Sequence, residues 1–132
     1  YPPSGHVNYP RDLDDEAQKH YAKQIEVWPR VMREESPVEV RLNVARIGGA
    51  VICTNPAELF VEHGLSIRSA SPAVVTIISE LTDGYVGYVP TRLAFSRGGY
   101  ETWPAYTSKL DESAGEQIVE STAHLMEQVF RD

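Results

Sequence analysis

The nine residues 73–81, AVVTIISEL, constrain the fold more than any other stretch. They are apolar and β-branched, without the alternation of a half-exposed strand, which is the composition of an interior strand covered on both faces. A second apolar run, AVICT at 50–54, lies upstream. Between the two, Asn55-Pro56-Ala57-Glu58 reads as a helix start. Asn55 suits the N-cap, Pro56 the first helical position and Glu58 the third. Leu59, Phe60, Leu65 and Ile67 continue that helix, and Pro72 lies beyond its end. Strand, helix, strand makes a βαβ unit, and such crossovers are right-handed and join parallel strands.

The flanking segments extend this unit. Val38, Val40, Leu42 and Val44 alternate with Glu39, Arg41 and Asn43, the pattern of a half-buried strand. Gly48-Gly49 then permits a tight hairpin into 50–54. Upstream, Leu13, Ala17, Tyr21, Ile25, Trp28 and Met32 recur every three or four residues, as on one face of an amphipathic helix. Asp12, Asp14, Asp15 and Glu16 crowd its first turns, where the helix dipole favours them, and Pro29 is expected to break or kink it near Trp28. Residues 1–11 read as an extended arm. Downstream, a short helical piece is expected from Thr91 to Ser96, followed by an irregular stretch. A final helix opens at Ser113-Ala114-Gly115-Glu116, a capping-box pattern. Its buried face is Ile118, Thr122, Leu125, Met126 and Val129. The expected fold is therefore α/β: a partial mixed sheet with a β-hairpin, a βαβ crossover and amphipathic helices at both ends, residues 1–132 forming a single segment.

Composition narrows function mainly by exclusion. The chain has 132 residues, 42% of them apolar, enough to bury a core without disulfides. Nineteen acidic against twelve basic residues give a net charge of −7. That balance argues against nucleic acid, whose phosphates need a basic face, and against anionic membranes. The lone cysteine, Cys53, sits in an apolar run and is expected as a buried, inert thiol. No stretch is long and apolar enough to span a bilayer. The opening Tyr-Pro-Pro-Ser-Gly resembles the interior of a longer chain.

Ligands of open α/β sheets sit beyond the carboxyl ends of the strands. Glu58 follows the strand ending near Thr54, and Tyr85 and Tyr88, in DGYVGYVPT, follow the strand ending near Leu81. A carboxylate and phenol oxygens suit a metal or a polar substrate group. In an extended segment residues three apart face opposite sides, so Tyr85 and Tyr88 are not expected to line one side together. Gly87 would allow a close backbone or ligand approach. Structural roles stand beside these: Glu58 completing the cap with Asn55, the tyrosines as core residues with satisfied hydroxyls, Tyr100 and Glu101 as loop residues. The four histidines share no metal-ligand spacing, with His20 and His124 expected on helix surfaces and His63, five residues after Glu58, off the helical face of Glu58.

The order of motifs carries a resemblance. NPAELF, an interior strand, GYVGYVPTRLAFSRGGYE and then SKLDESAGEQIVE is similar to the carboxyl-terminal third of the catalytic domain of the neutral/alkaline, non-lysosomal ceramidases. The likeness covers roughly residues 38 to 130. The resemblance implies a zinc amidase, cleaving ceramide to sphingosine and fatty acid, with metal ligands from two histidines earlier in the chain, a glutamate and a tyrosine. Glu58 and Tyr88 match the latter two, with Tyr85 on the other face as support and Thr91 and Tyr100 as possible lining residues. Ala57 replaces the family's glycine before the glutamate, and Phe95 stands where a tyrosine is usual. The resemblance further implies zinc held weakly by this chain alone, the rest of a catalytic domain as partner, a lipid amide as substrate, and a secreted or periplasmic location. The alternative is a non-catalytic module of the same scaffold that binds a lipid or a carbohydrate.

Overall fold

The computed structural model describes residues 14–103 and 105–131. The arm expected at 1–11 lies outside them. The elements, in order, are α1 (Asp15–Glu35), β1 (Asn43–Ile47), β2 (Ala50–Thr54), β3 (Glu58–Leu59), α2 (Val61–Ser69), β4 (Val75–Ser79), β5 (Tyr88–Val89), α3 (Arg92–Arg97), a 3₁₀ turn (Tyr100–Thr102) and α4 (Ala114–Phe130). The fold is α/β with a mixed sheet. β1 and β2 form the antiparallel hairpin across Gly48-Gly49, and β2 pairs parallel with β4 to give the order β1-β2-β4. Gly48 takes a left-handed φ of 59°, which the two-residue turn requires.

Both α2 and α4 pack on one face of this sheet. Val44, Val51, Cys53 and Ile78 point to that side and meet Ile67, Ile118 and Met126 from the helices. Burial pushes the Cys53 thiol up, in keeping with an unreactive core position. Arg46 lies with its guanidinium 4.3 Å from the centre of the Phe130 ring and donates to the Val129 carbonyl, fastening the end of α4 over β1. Ile118, Thr122 and Met126 of the expected α4 face are buried.

Several expectations are corrected. Asn55 does not cap a helix. Its side chain, 2% exposed, accepts from the N–H of Ala57, and the chain then runs extended through Glu58 and Leu59, so the helix starts only at Val61. The reason is pairing: Glu58 N–H donates to Gly87 and Phe60 N–H to Val89, which commits this backbone to β5. β4 is an edge strand rather than an interior one. Val74, Val75 and Ile77 are 90%, 51% and 50% exposed, because the described residues cover only one sheet face. Residues 38–44 alternate in burial as expected, yet ladder pairing begins only at Asn43. Pro29 does not break α1, which continues to Glu35. Trp28 donates to the Ser108 carbonyl and Glu35 pairs with Lys109, holding the helix on both sides of the proline. Ser113 precedes α4 as expected but does not cap it; its hydroxyl and N–H both donate to Asp111, whose carboxyl is thereby held low.

His63 takes a buried position on α2. It is 6% exposed, and its ring lies against Gly115 of α4. A Cβ at Gly115 would lie 2.2 Å from Nε2 of that ring, far inside van der Waals contact. Gly115→Ala is therefore expected to destabilise the fold by about 1–3 kcal/mol, the usual range for overpacking. Urea denaturation checks this, and an unchanged midpoint would show that His63 can move aside without loss.

Candidate functional site

Glu58 and Tyr88 are brought together by strand register. β3 and β5 run parallel and pair Glu58 with Tyr88 and Leu59 with Val89. Residues opposite one another on neighbouring strands point to the same side of the sheet, so the carboxylate and the phenol share a face. The Tyr88 phenol is held above its ordinary value chiefly by its interaction with the Glu58 carboxylate.

Tyr85 corrects an expectation. It does not turn to the opposite face; its hydroxyl donates to Glu58 Oε1 at 2.8 Å. The segment between the tyrosines is not a regular strand. Gly87 has φ of 80°, and a Cβ there would meet the Thr107 carbonyl oxygen at 2.5 Å. The left-handed glycine removes the alternation that would have separated the phenols. Gly84, Leu81 and Asp83 also have positive φ, so the whole approach to Tyr85 is a tight, twisted loop. The Asp83 carboxylate accepts from Arg41 at 3.1 Å, tying that loop to the segment before β1. The close approach expected at Gly87 is made by the backbone of Thr107.

The other sequence candidates separate. Tyr100 belongs to the site: its ring meets that of Tyr88 edge to face, with centroids 5.9 Å apart. Thr91 does not line it, because its hydroxyl accepts from the N–H of Ala94 and caps α3. Ala57, in place of the family's glycine, is fully buried at an ordinary negative φ, so the missing hydrogen side chain is no obstacle to the backbone here.

Three contributors escaped the sequence reading. Glu80 lies beside Leu59 and Glu58; lost hydration and then the Glu58 charge push its carboxyl up. Trp103 stacks edge to face between Tyr100 and Tyr21, with centroids at 5.5 and 4.9 Å. Tyr21, on α1, is raised by burial and by its hydrogen bond with Tyr100. An aromatic row thus runs from Tyr88 back to the first helix. No local motif announces it, since its members come from three separate parts of the chain. Beside Tyr88 a recess of about 10 Å³, lined partly by Phe95, Glu101 and Trp103, has room for roughly one water. A wider groove of about 550 Å³ lies away from Glu58, between α1, residues 37–42 and α4.

Chemically the site offers the Glu58 carboxylate beside the phenols of Tyr85 and Tyr88, with Glu80 and Glu101 nearby, a set of hard oxygen donors. Among the described residues no group of three or more His, Cys, Asp or Glu is placed to hold a metal ion, and no helix is long and apolar enough to cross a membrane. Comparison with protein-family models, with curated proteins and with solved structures finds no match.

The bond to Glu58 is the main reason the Tyr85 phenol is pushed up to about 12, with lost hydration next. The folded chain therefore holds that proton more tightly than the unfolded chain, whose phenol ionises near 10. The associated stability is complete below pH 10 and is lost as pH rises through about 12. Denaturation measured from pH 8 to 12 is expected to show this decline, and Tyr85→Phe to remove its share of the slope.

Proposed function

We propose that this chain is part of a zinc-dependent amide hydrolase resembling the neutral ceramidases, with Glu58 and Tyr88 as two of the metal ligands. The observation that supports this most is the register pair itself: a carboxylate and a phenol from adjacent parallel strands, side by side on one face. Two facing oxygens are the right kind of donors for half of such a site. Structural and catalytic zinc sites take three or four protein ligands. The remaining ligands, imidazoles in the resemblance, would come from the rest of the catalytic domain, with a lipid amide as substrate.

The roles of this chain's residues follow from their chemistry. Glu58 offers the charged oxygen. Tyr88 offers a second oxygen once its proton is turned away from Glu58 or lost. Tyr100 packs against the Tyr88 ring and limits its rotation. Tyr21 and Trp103 anchor Tyr100 in turn, so the position of Tyr88 depends on α1 being docked. When bound, zinc would supply Lewis acidity toward an amide carbonyl.

Calorimetric titration with zinc tests the ligand assignment. The wild-type chain is expected to bind one ion weakly, because two oxygens without imidazole leave zinc largely hydrated. Glu58→Gln and Tyr88→Phe should each abolish the binding while leaving the fold intact, and the chain alone should leave amides uncleaved. Zinc binding that survives both substitutions would overturn the assignment.

A further inference from the structure

We propose that Tyr85 is a positioning residue: by donating its hydroxyl to Oε1 of Glu58, it fixes the plane of the carboxylate and so the direction in which its oxygens are offered to a cation. This rests on the reading of Glu58 as a metal ligand, and it goes further by dividing the two tyrosines into a ligand and a holder of the ligand.

The geometry separates them. Tyr88 lies within a strand, in register with Glu58, where its oxygen and the carboxylate emerge side by side. Tyr85 lies outside the ladder, in the loop before β5, and reaches the carboxylate from there at 2.8 Å. That loop is built for one direction of approach. Val86 N–H donates to the Pro56 carbonyl and Leu81 N–H to the Ala57 carbonyl, so both flanks of the loop are pinned to the residues just before Glu58. Gly84 and Gly87 take conformations that side chains rarely adopt, and each lies against a neighbour: Pro56 for Gly84, the Thr107 backbone for Gly87. Tyr85 is thus carried on a loop fastened to the same short ribbon that carries Glu58.

A hydrogen bond to Oε1 withdraws charge from that oxygen and makes the other the stronger donor. Carboxylates that bind metals are commonly held in this way, and loss of the outer partner lowers metal affinity by about 10- to 100-fold. Without Tyr85, Glu58 is free to rotate and to chelate through both oxygens.

The experiment uses manganese(II), an ion that favours oxygen donors, with the intact chain. Affinity is read from paramagnetic broadening of backbone amide signals near Glu58 and Tyr88. The mode of carboxylate binding is read from the infrared difference spectrum on adding the ion, with Glu58→Gln identifying the Glu58 bands. The expected result for Tyr85→Phe is an affinity roughly tenfold or more below wild type, with the separation between antisymmetric and symmetric carboxylate stretches narrowed toward the two-oxygen mode. Tyr85→Gln, which restores a donor, should recover part of both. If Tyr85→Phe binds manganese as wild type does, with the same carboxylate bands, the positioning role is overturned while the ligand assignment stands. If instead wild type shows no broadening centred on Glu58, or Glu58→Gln binds equally well, the ligand assignment fails and the positioning role fails with it. A shifted thermal midpoint with unchanged bands and affinity would make Tyr85 merely structural, and would also overturn the proposal.

Discussion

The backbone of residues 55–60 is the ribbon on which the rest depends. Its polar groups are shared with both flanking segments: Asn55 with Ser79 and Thr82, Pro56 with Val86, Ala57 with Leu81, Glu58 with Gly87 and Phe60 with Val89. A helix cap at Asn55 contributes about 1 kcal/mol. Each of these six bonds contributes roughly 0.5–1.5 kcal/mol net, and an unpaired buried group costs about 1–3. Together they outweigh the local signal for a helix. The same ribbon joins the three-stranded sheet to the small β3-β5 pair, and so links the core to the site.

The placement of charge follows from that ribbon. Glu58 emerges where the Tyr85 hydroxyl can donate to it, with the exposed Glu80 beside it. The Glu58 carboxylate accepts the Tyr85 hydroxyl. The tyrosines, in turn, are held protonated because ionisation would set a phenolate against that charge. Neutral donors around one anion make an arrangement that is stable as it stands and that retains oxygen lone pairs for a further ligand.

The sheet is unequal in its two faces. Val44, Val51, Cys53 and Ile78 meet α2 and α4, while Ile47, Val75 and Ile77 project to the other side and stay half exposed or more. Parallel pairing generally occurs with both faces covered. The apolar character of residues 73–81 thus records a demand for cover that the described residues meet on one side only.

Much of the fold was legible because its signals are local. The amphipathic spacing of α1 and α4, the Gly48-Gly49 turn and the β-branched runs of β2 and β4 each depend on residues within a few positions of one another. The candidate site was legible in its members, since Glu58, Tyr85, Tyr88 and Tyr100 all stand at or near one cluster, but not in its arrangement. Strand alternation placed Tyr85 and Tyr88 on opposite faces, whereas a left-handed Gly87, required by the Thr107 carbonyl beside it, turned both toward one carboxylate. Asn55-Pro56 carries every local mark of a helix start, yet pairing with residues some thirty positions away made it a ribbon. His63 carries no pattern at all, and only the glycine facing it on α4 gives it a buried place. The sequence by itself determined which segments favour helix or strand, because those preferences arise from neighbouring side chains and backbone. Which strand lies at an edge, and which oxygens meet at Glu58, was decided by tertiary structure, because hydrogen bonds and close contacts between distant segments exceed the local preferences they oppose.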